Sequence, residues 1–353
     1  MDFEALSEYL PRLETSLRHS YAEEKRRVAP VFRPYVGTLE GFTLRGGKRL
    51  RALLVLAGFH LATRSSPAPA LPAAAALEHF QSWMLIHDDI IDHSEQRRGG
   101  PTVHRALAER MRKIGATGDP DELGVGLGIT LGDLQEPFTI AALLRTKVAI
   151  ERRLAAVEEF VRMTRETAYG QLLDIENGAR PVDQVTDKMV LLVHELKSAI
   201  YTVASPLRIG AYLGGGSKAL LSDLDSIGID LGIAFQLRDD VLGTGFDAGA
   251  AGKSANDLIE GKRTLLVVRA WRKAHGTERE ELRSVLGNPR ASETMIARAR
   301  EIIRTTGSLD DSEERIGRLH RRALARIERS RSIPRSARPL LGEIAGKLVH
   351  RKI

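Results

Sequence analysis

The chain has 353 residues, a net charge of +7, 5% aromatic residues and no cysteine. That length can bury a substantial core, and the lack of cysteine excludes disulfides, thiolate metal centres and a cysteine nucleophile. Plentiful Ala, Leu, Ile and Arg favour helices over strands.

The opening Met-Asp-Phe-Glu-Ala-Leu-Ser-Glu lacks the basic stretch and apolar core of a secretory signal. No uncharged apolar run reaches the roughly 18 to 20 residues that span a bilayer, so a cytoplasmic chain without a transmembrane segment is expected. Residues 2 to 29 carry apolar positions at loose helical spacing, broken by Pro30 and Pro34. Then comes Leu44-Arg-Gly-Gly-Lys-Arg-Leu-Arg51. Its glycines allow close backbone approach, and Lys48 and Arg51, expected on the first turn of the next helix, suit an anion at a helix N-terminus. Residues 62 to 72 read as a loop, with Pro72 opening a helix.

That helix leads into Gln81-Ser-Trp-Met-Leu-Ile-His-Asp-Asp-Ile-Ile-Asp92. Asp88 and Asp92 stand one helical turn apart, and Asp89 lies between them. Such a pair suits Mg2+, a hard cation that binds one or two carboxylates and completes its shell with water and phosphate oxygens. Arg97 and Arg98 follow, suited to phosphate, before Gly99-Gly-Pro101 turns the chain. A solvated helix end with unrelated charges is the alternative, but Trp83-Met-Leu-Ile86 and Ile90-Ile91 argue against it.

The Gly-rich residues 115 to 128 read as a connection, with helix resuming near Thr130 and a kink at Pro137. Residues 141 to 178 are Pro-free and contain Tyr169-Gly-Gln-Leu-Leu-Asp174. A helix over about 187 to 213 places Lys197 and Ser198 in apolar company, so Lys197 needs an anionic partner or a path to water; Pro206 should kink it. From Ile227 to Leu237 large apolar residues alternate as in a strand. Small intervening residues and the lack of a partner strand favour a buried helix. It ends in Phe235-Gln-Leu-Arg-Asp-Asp-Val-Leu-Gly243, and Lys253, Asp257 and Lys262 follow. Residues 315 to 353 hold twelve Lys or Arg against two acids, more than the whole net charge. RNA or an acidic membrane could take such a tail, but a helical end with arginines on its wet face is preferred, and no nucleic-acid partner is expected.

Two apolar segments ending in aspartates, each trailed by bases, form a repeated theme. With Gly-Gly-Lys-Arg-Leu-Arg (46 to 51), His-Asp-Asp-Ile-Ile-Asp and Arg-Arg-Gly-Gly-Pro-Thr-Val-His (87 to 104), Gly-Gln-Leu-Leu-Asp (170 to 174), Lys-Ser (197, 198), Phe-Gln-Leu-Arg-Asp-Asp (235 to 240) and Gly-Lys, Asp-Leu and Gly-Lys-Arg-Thr (within 252 to 264), the chain resembles the trans-isoprenyl diphosphate synthases of the polyprenyl synthetase family. The likeness runs from about residue 40 to 270, with the basic helical part 315 to 353 beyond it.

The resemblance implies one all-α domain of about a dozen helices around a deep cavity, normally a homodimer. It implies Mg2+, three ions with diphosphate bound, held by Asp88, Asp92 and Asp239 with Asp89 and Asp240 in support. Arg97, Lys197, Lys253 and Lys262 would neutralise the allylic diphosphate, and Lys48, Arg51, Gln81 and Arg98 would hold isopentenyl diphosphate. The Lys197 carbonyl, Ser198 hydroxyl and Gln236 amide would face a carbocation. Trp83, Met84 and Phe80, before Asp88 on the same helix, would form the floor that limits the product to fifteen or twenty carbons. Gly243 departs from the pattern, since many members carry a third Asp there. A terpene cyclase would keep Asp88 and Asp92 but has no need of Lys48, Arg51 and Gln81. A longer-chain synthase and a non-catalytic partner subunit also stay open.

Overall fold

Two long helices organise the chain, Leu71–Ile91 and Lys218–Gly243, and each ends in one of the acid clusters. A computed structural model describes residues 1–246 and 256–350, so Lys253 lies outside the described residues. Among the described residues the fold is helical apart from one short hairpin, Gln96–Arg97 against Gly100–Pro101, in agreement with the expected all-α class. Contacts group the chain into two compact units, chiefly Phe3–Glu158 with Ile209–Gly216, and Glu159–Arg208 with Ser217–Ile353. No described helix is long and apolar enough to cross a membrane.

In the first unit Leu71–Ile91 packs against Pro120–Leu144 and Leu50–Thr63. Helix Leu71–Ile91 starts from a 3-10 turn at Ala68–Ala70 with Pro72 in its first turn, where a missing N–H costs nothing. Ala73 to Leu77, a full turn, are buried on every side, as are Phe80 and Ile86, and each large apolar side chain contributes about 1.5 to 3 kcal/mol. The Pro120–Leu144 helix begins ten residues earlier than the sequence suggests, capped by the Asp119 carboxylate on the Asp121 N–H at 2.8 Å. The glycines that suggest a loop are the reason it packs so closely. A Cβ at Gly124 would lie 2.5 Å from the His104 carbonyl oxygen, and one at Gly132 would lie 2.4 Å from His87 Nε2. Gly124, Gly128 and Gly132 recur every fourth residue, one stripe of a helix.

In the second unit Lys218–Gly243 packs against His194–Ala204 and Ser308–Arg329. The alternating segment is helical, as expected. Gly228 and Gly232 explain its small residues, for a Cβ at either would come within 2.4 Å of the backbone at Ala204 or Ala199. The helix expected over 187 to 213 is Asp187–Val193 and Ser205–Gly214, joined by a π-helical stretch, His194–Ala204. In place of a simple kink at Pro206, the hydrogen bonding widens before it, with the Ser205 N–H on the Ile200 carbonyl. Part of the basic tail is used in packing: Arg322 Nε donates to the buried Asp230 carboxylate at 2.7 Å.

Candidate active site

Asp88 lies in the last turn of Leu71–Ile91, and Asp92 caps it, its N–H donating to the Asp88 carbonyl at 2.8 Å. Both are partly exposed. A helix C-terminus carries partial negative charge, so acids gathered there repel the dipole unless a cation joins them. Asp89 is fully buried and accepts from Arg97 Nε at 2.8 Å, while its second oxygen has no hydrogen-bond partner among the described residues. Burial pushes its carboxyl up, and Arg97 opposes that rise. The resemblance casts Asp89 as metal support and Arg97 as a diphosphate ligand; here the two hold each other.

The hairpin after Asp92 sets the arginines. Arg98 and Gly99 at its tip both have positive φ, 52° and 73°, as a two-residue type I′ turn requires. Arg98 Nη1 donates to the Gly46 carbonyl at 2.8 Å, and Arg45 Nη1 donates to the Pro101 carbonyl at the same distance. The 45 to 49 loop and the hairpin thus exchange arginines. Lys48 is exposed in that loop, not on the helix, which begins at Leu50; Arg51 is in its first turn. Arg49, which the sequence does not single out, is buried and pairs with Glu78 at 2.9 Å and the Thr43 carbonyl at 2.9 Å. Gln81 is partly buried one residue before Ser82, which joins a buried network of Thr43, Tyr21 and Gln135. On the same helix Phe80 is fully buried and meets Trp83 edge to face, ring centres 5.6 Å apart. Met84 beside them is partly buried, and the Trp83 Nε1 hydrogen has no partner among the described residues.

The second unit carries a chain of polar contacts. Ser198 Oγ donates to Gln236 Oε1 at 2.7 Å, and Gln236 Nε2 donates to Asp240 Oδ1 at 3.0 Å. His194 Nε2 stands 3.1 Å from the other Asp240 oxygen. The anion that Lys197 needs is Asp174, 2.6 Å from its Nζ, and Gly170 lets the two backbones come close: a Cβ there would lie 2.5 Å from the Lys197 backbone nitrogen. Asp239, partly buried, and Asp240, buried, lie in the last turn of their helix, again at a C-terminus. Lys262 Nζ is 2.7 Å from Glu260 and 3.5 Å from Asp257. Burial above all, reinforced by Asp240, pushes the Asp257 carboxyl up to about 7, with Lys262 opposing. His194 and Asp257, like Arg49, carry no role that the sequence alone assigns. Only their position after folding, not their spacing, marks them.

Among the described residues no three acidic or histidine side chains converge on a ready-made metal cage. Two carboxylates a turn apart fit a magnesium ion that takes its remaining ligands from water and phosphate, and they fit poorly a metal that demands an all-protein shell.

A family model described as polyprenyl synthetase matches residues 36–303. The geranylfarnesyl diphosphate synthase of Aeropyrum pernix is 32% identical over 308 residues, covering 87% of this chain and 91% of the relative. A short chain isoprenyl diphosphate synthase of Methanothermobacter thermautotrophicus is 32% identical over 269 residues, 75% of each chain. The crystal structure of a geranylgeranyl pyrophosphate synthase from Corynebacterium glutamicum, complexed with isoprenyl diphosphate and magnesium, matches over 100% of both chains, at a TM-score of 0.90 and 34% identity. Motif order, helical fold and these similarities agree: the chain belongs to the polyprenyl synthetase family.

Proposed function

We propose that the protein is a magnesium-dependent trans-prenyltransferase that joins isopentenyl diphosphate head-to-tail to an allylic diphosphate, giving a short-chain product of fifteen to twenty carbons. The observation that supports it most is that both acid clusters end a long helix, where the dipole adds to their negative charge and makes each a receptor for cations. Bound at Asp88, Asp92 and Asp239, Mg2+, three ions in all, supplies Lewis-acid stabilisation of the departing diphosphate.

The chain's own groups do the rest. Lys197, Lys253 and Lys262, with Arg97 steered by Asp89, neutralise the allylic diphosphate as its carbon–oxygen bond breaks. Lys48, Arg51, Gln81 and Arg98 hold isopentenyl diphosphate, their loop and hairpin braced by the exchanged arginines. Ser198 gives its hydrogen to Gln236, so its oxygen lone pairs, with the Lys197 carbonyl, are left to face the allylic cation. The isopentenyl double bond forms the new carbon–carbon bond, and a proton leaves to the released diphosphate. Apolar walls keep out water that would quench the cation.

A homodimer is part of this reading. Leu154, Val161, Tyr169, Leu172 and Ile175 are all exposed on helix Ile150–Ala179 and fall on one face of it. Asp88→Asn and Asp239→Asn test the reading: each is expected to cut turnover at least about 100-fold without lowering the thermal midpoint, since both sit partly exposed against a dipole. Turnover within a few-fold of the unaltered protein would remove the clusters from the chemistry.

A further inference from the structure

Pro30 and Pro34 bracket a turn that presents apolar side chains to solvent. Helix Leu10–Arg27 stops at Val28, whose backbone is extended, and a 3-10 turn, Pro30–Phe32, leads into helix Arg33–Leu44. The Phe32 N–H closes that turn on the Ala29 carbonyl at 2.9 Å, and each proline fixes its own φ, so the backbone itself holds the turn in shape. Residues 29 to 34 are all exposed, Val31 at 64% and Phe32 at 54%. Ile114, at 62%, ends helix Val103–Lys113 one turn beyond Arg110, and the Arg110 guanidinium lies over the Tyr35 ring at 5.3 Å. Exposed apolar side chains scattered singly need no explanation. Here two adjoin, and a third is linked to them through the Arg110–Tyr35 contact.

The charges around the turn have one sign. Residues 25 to 39 carry four bases and no acid. Lys25 pairs with Glu40 and Arg27 with Glu24, whereas the exposed Arg26 and Arg33 have no carboxylate partner among the described residues. We propose that this face seats the protein on an anionic phospholipid bilayer, with Val31, Phe32 and Ile114 entering the headgroup region and Arg26 and Arg33 meeting lipid phosphates. Exposed apolar side chains beside unpaired bases are the composition of an interfacial anchor. A second copy fits poorly, because a two-fold contact would set the same bases against each other. Val28 and Tyr35, on either side of the turn, pack on the same cluster as Ile86 and Ile90, so the anchor stands on the part of the first unit that carries Asp88. The inference goes beyond the function proposed above and does not rest on it, since lipid binding needs no turnover.

Co-sedimentation of the full chain with phosphatidylcholine vesicles, with and without an equal part of phosphatidylserine, tests this. Binding is expected to the vesicles that contain phosphatidylserine and to weaken as salt rises. A base near an anionic surface strengthens binding about fivefold, so Arg26→Glu with Arg33→Glu is expected to weaken it at least about 25-fold. Val31→Ser with Phe32→Ser is expected to weaken it about tenfold, through lost apolar insertion. Both pairs are exposed, so the melting temperature should not change. Arg331→Glu with Arg335→Glu removes the same charge from exposed positions of the basic tail and is expected to bind within about twofold of the unaltered protein, since charges outside the contact are screened. The proposal is overturned if the unaltered protein does not sediment with phosphatidylserine vesicles, or if the tail pair weakens binding as much as the Arg26 and Arg33 pair. It is overturned too if only the arginines of the turn matter, for the face then takes a polyanion such as RNA rather than a bilayer.

Discussion

Position 49 holds an arginine in the left-handed region, φ 50°, with its guanidinium buried against Glu78. Such a conformation costs a non-glycine residue roughly 1 to 2 kcal/mol, and the buried ion pair and the Thr43 carbonyl offset it. Arg49 stands between Lys48 in the loop and Arg51 in the first turn of the next helix. The sequence displays all three bases alike; only Glu78, 29 residues away, separates the structural one from the others. By contrast the carboxylates are legible, because acids at helical spacing in apolar company are costly to keep charged unless a cation joins them. Trp83 is the residue whose role is most exposed to test. If it is the cavity floor, packed on Phe80, then Trp83→Ala should shift the product by at least one five-carbon unit, as chromatography of the dephosphorylated products would reveal. An unchanged product distribution would reduce Trp83 to ordinary packing.

Helices are legible where large apolar residues set the period and obscure where glycine does. Gly124, Gly128 and Gly132 resemble a connection because glycine disfavours helices, yet here each lets a neighbouring chain come close. The distinction is measurable within one helix. Gly124→Ala meets the His104 carbonyl and should cost about 1 to 3 kcal/mol, whereas exposed Gly126→Ala meets nothing within 4 Å and should stabilise by roughly 0.5 to 1 kcal/mol. Denaturant unfolding of both variants checks this; equal effects would refute the close-packing account. The π-helical stretch His194–Ala204 is not legible for a different reason. A proline kink and a widened turn have the same sequence signature, and packing on Lys218–Gly243 chooses between them.

At the scale of the whole molecule, class and motif order are legible because six short motifs in fixed order constrain a chain far more than any one of them. Assembly is expected only through the family resemblance, and the exposed apolar face on Ile150–Ala179 gives it a physical basis. Light scattering should find about twice the chain mass of 38.8 kDa, and Leu172→Glu, 64% exposed on that face, should shift it towards one chain. A monomer at micromolar concentration would contradict it. The central claim is that two cation-seeking helix ends serve one elongation reaction. Its most direct test is product analysis of the purified protein with Mg2+, isopentenyl diphosphate and, separately, allylic primers of five, ten and fifteen carbons. The account predicts magnesium-dependent elongation that stops at fifteen or twenty carbons. No elongation from any primer would contradict it.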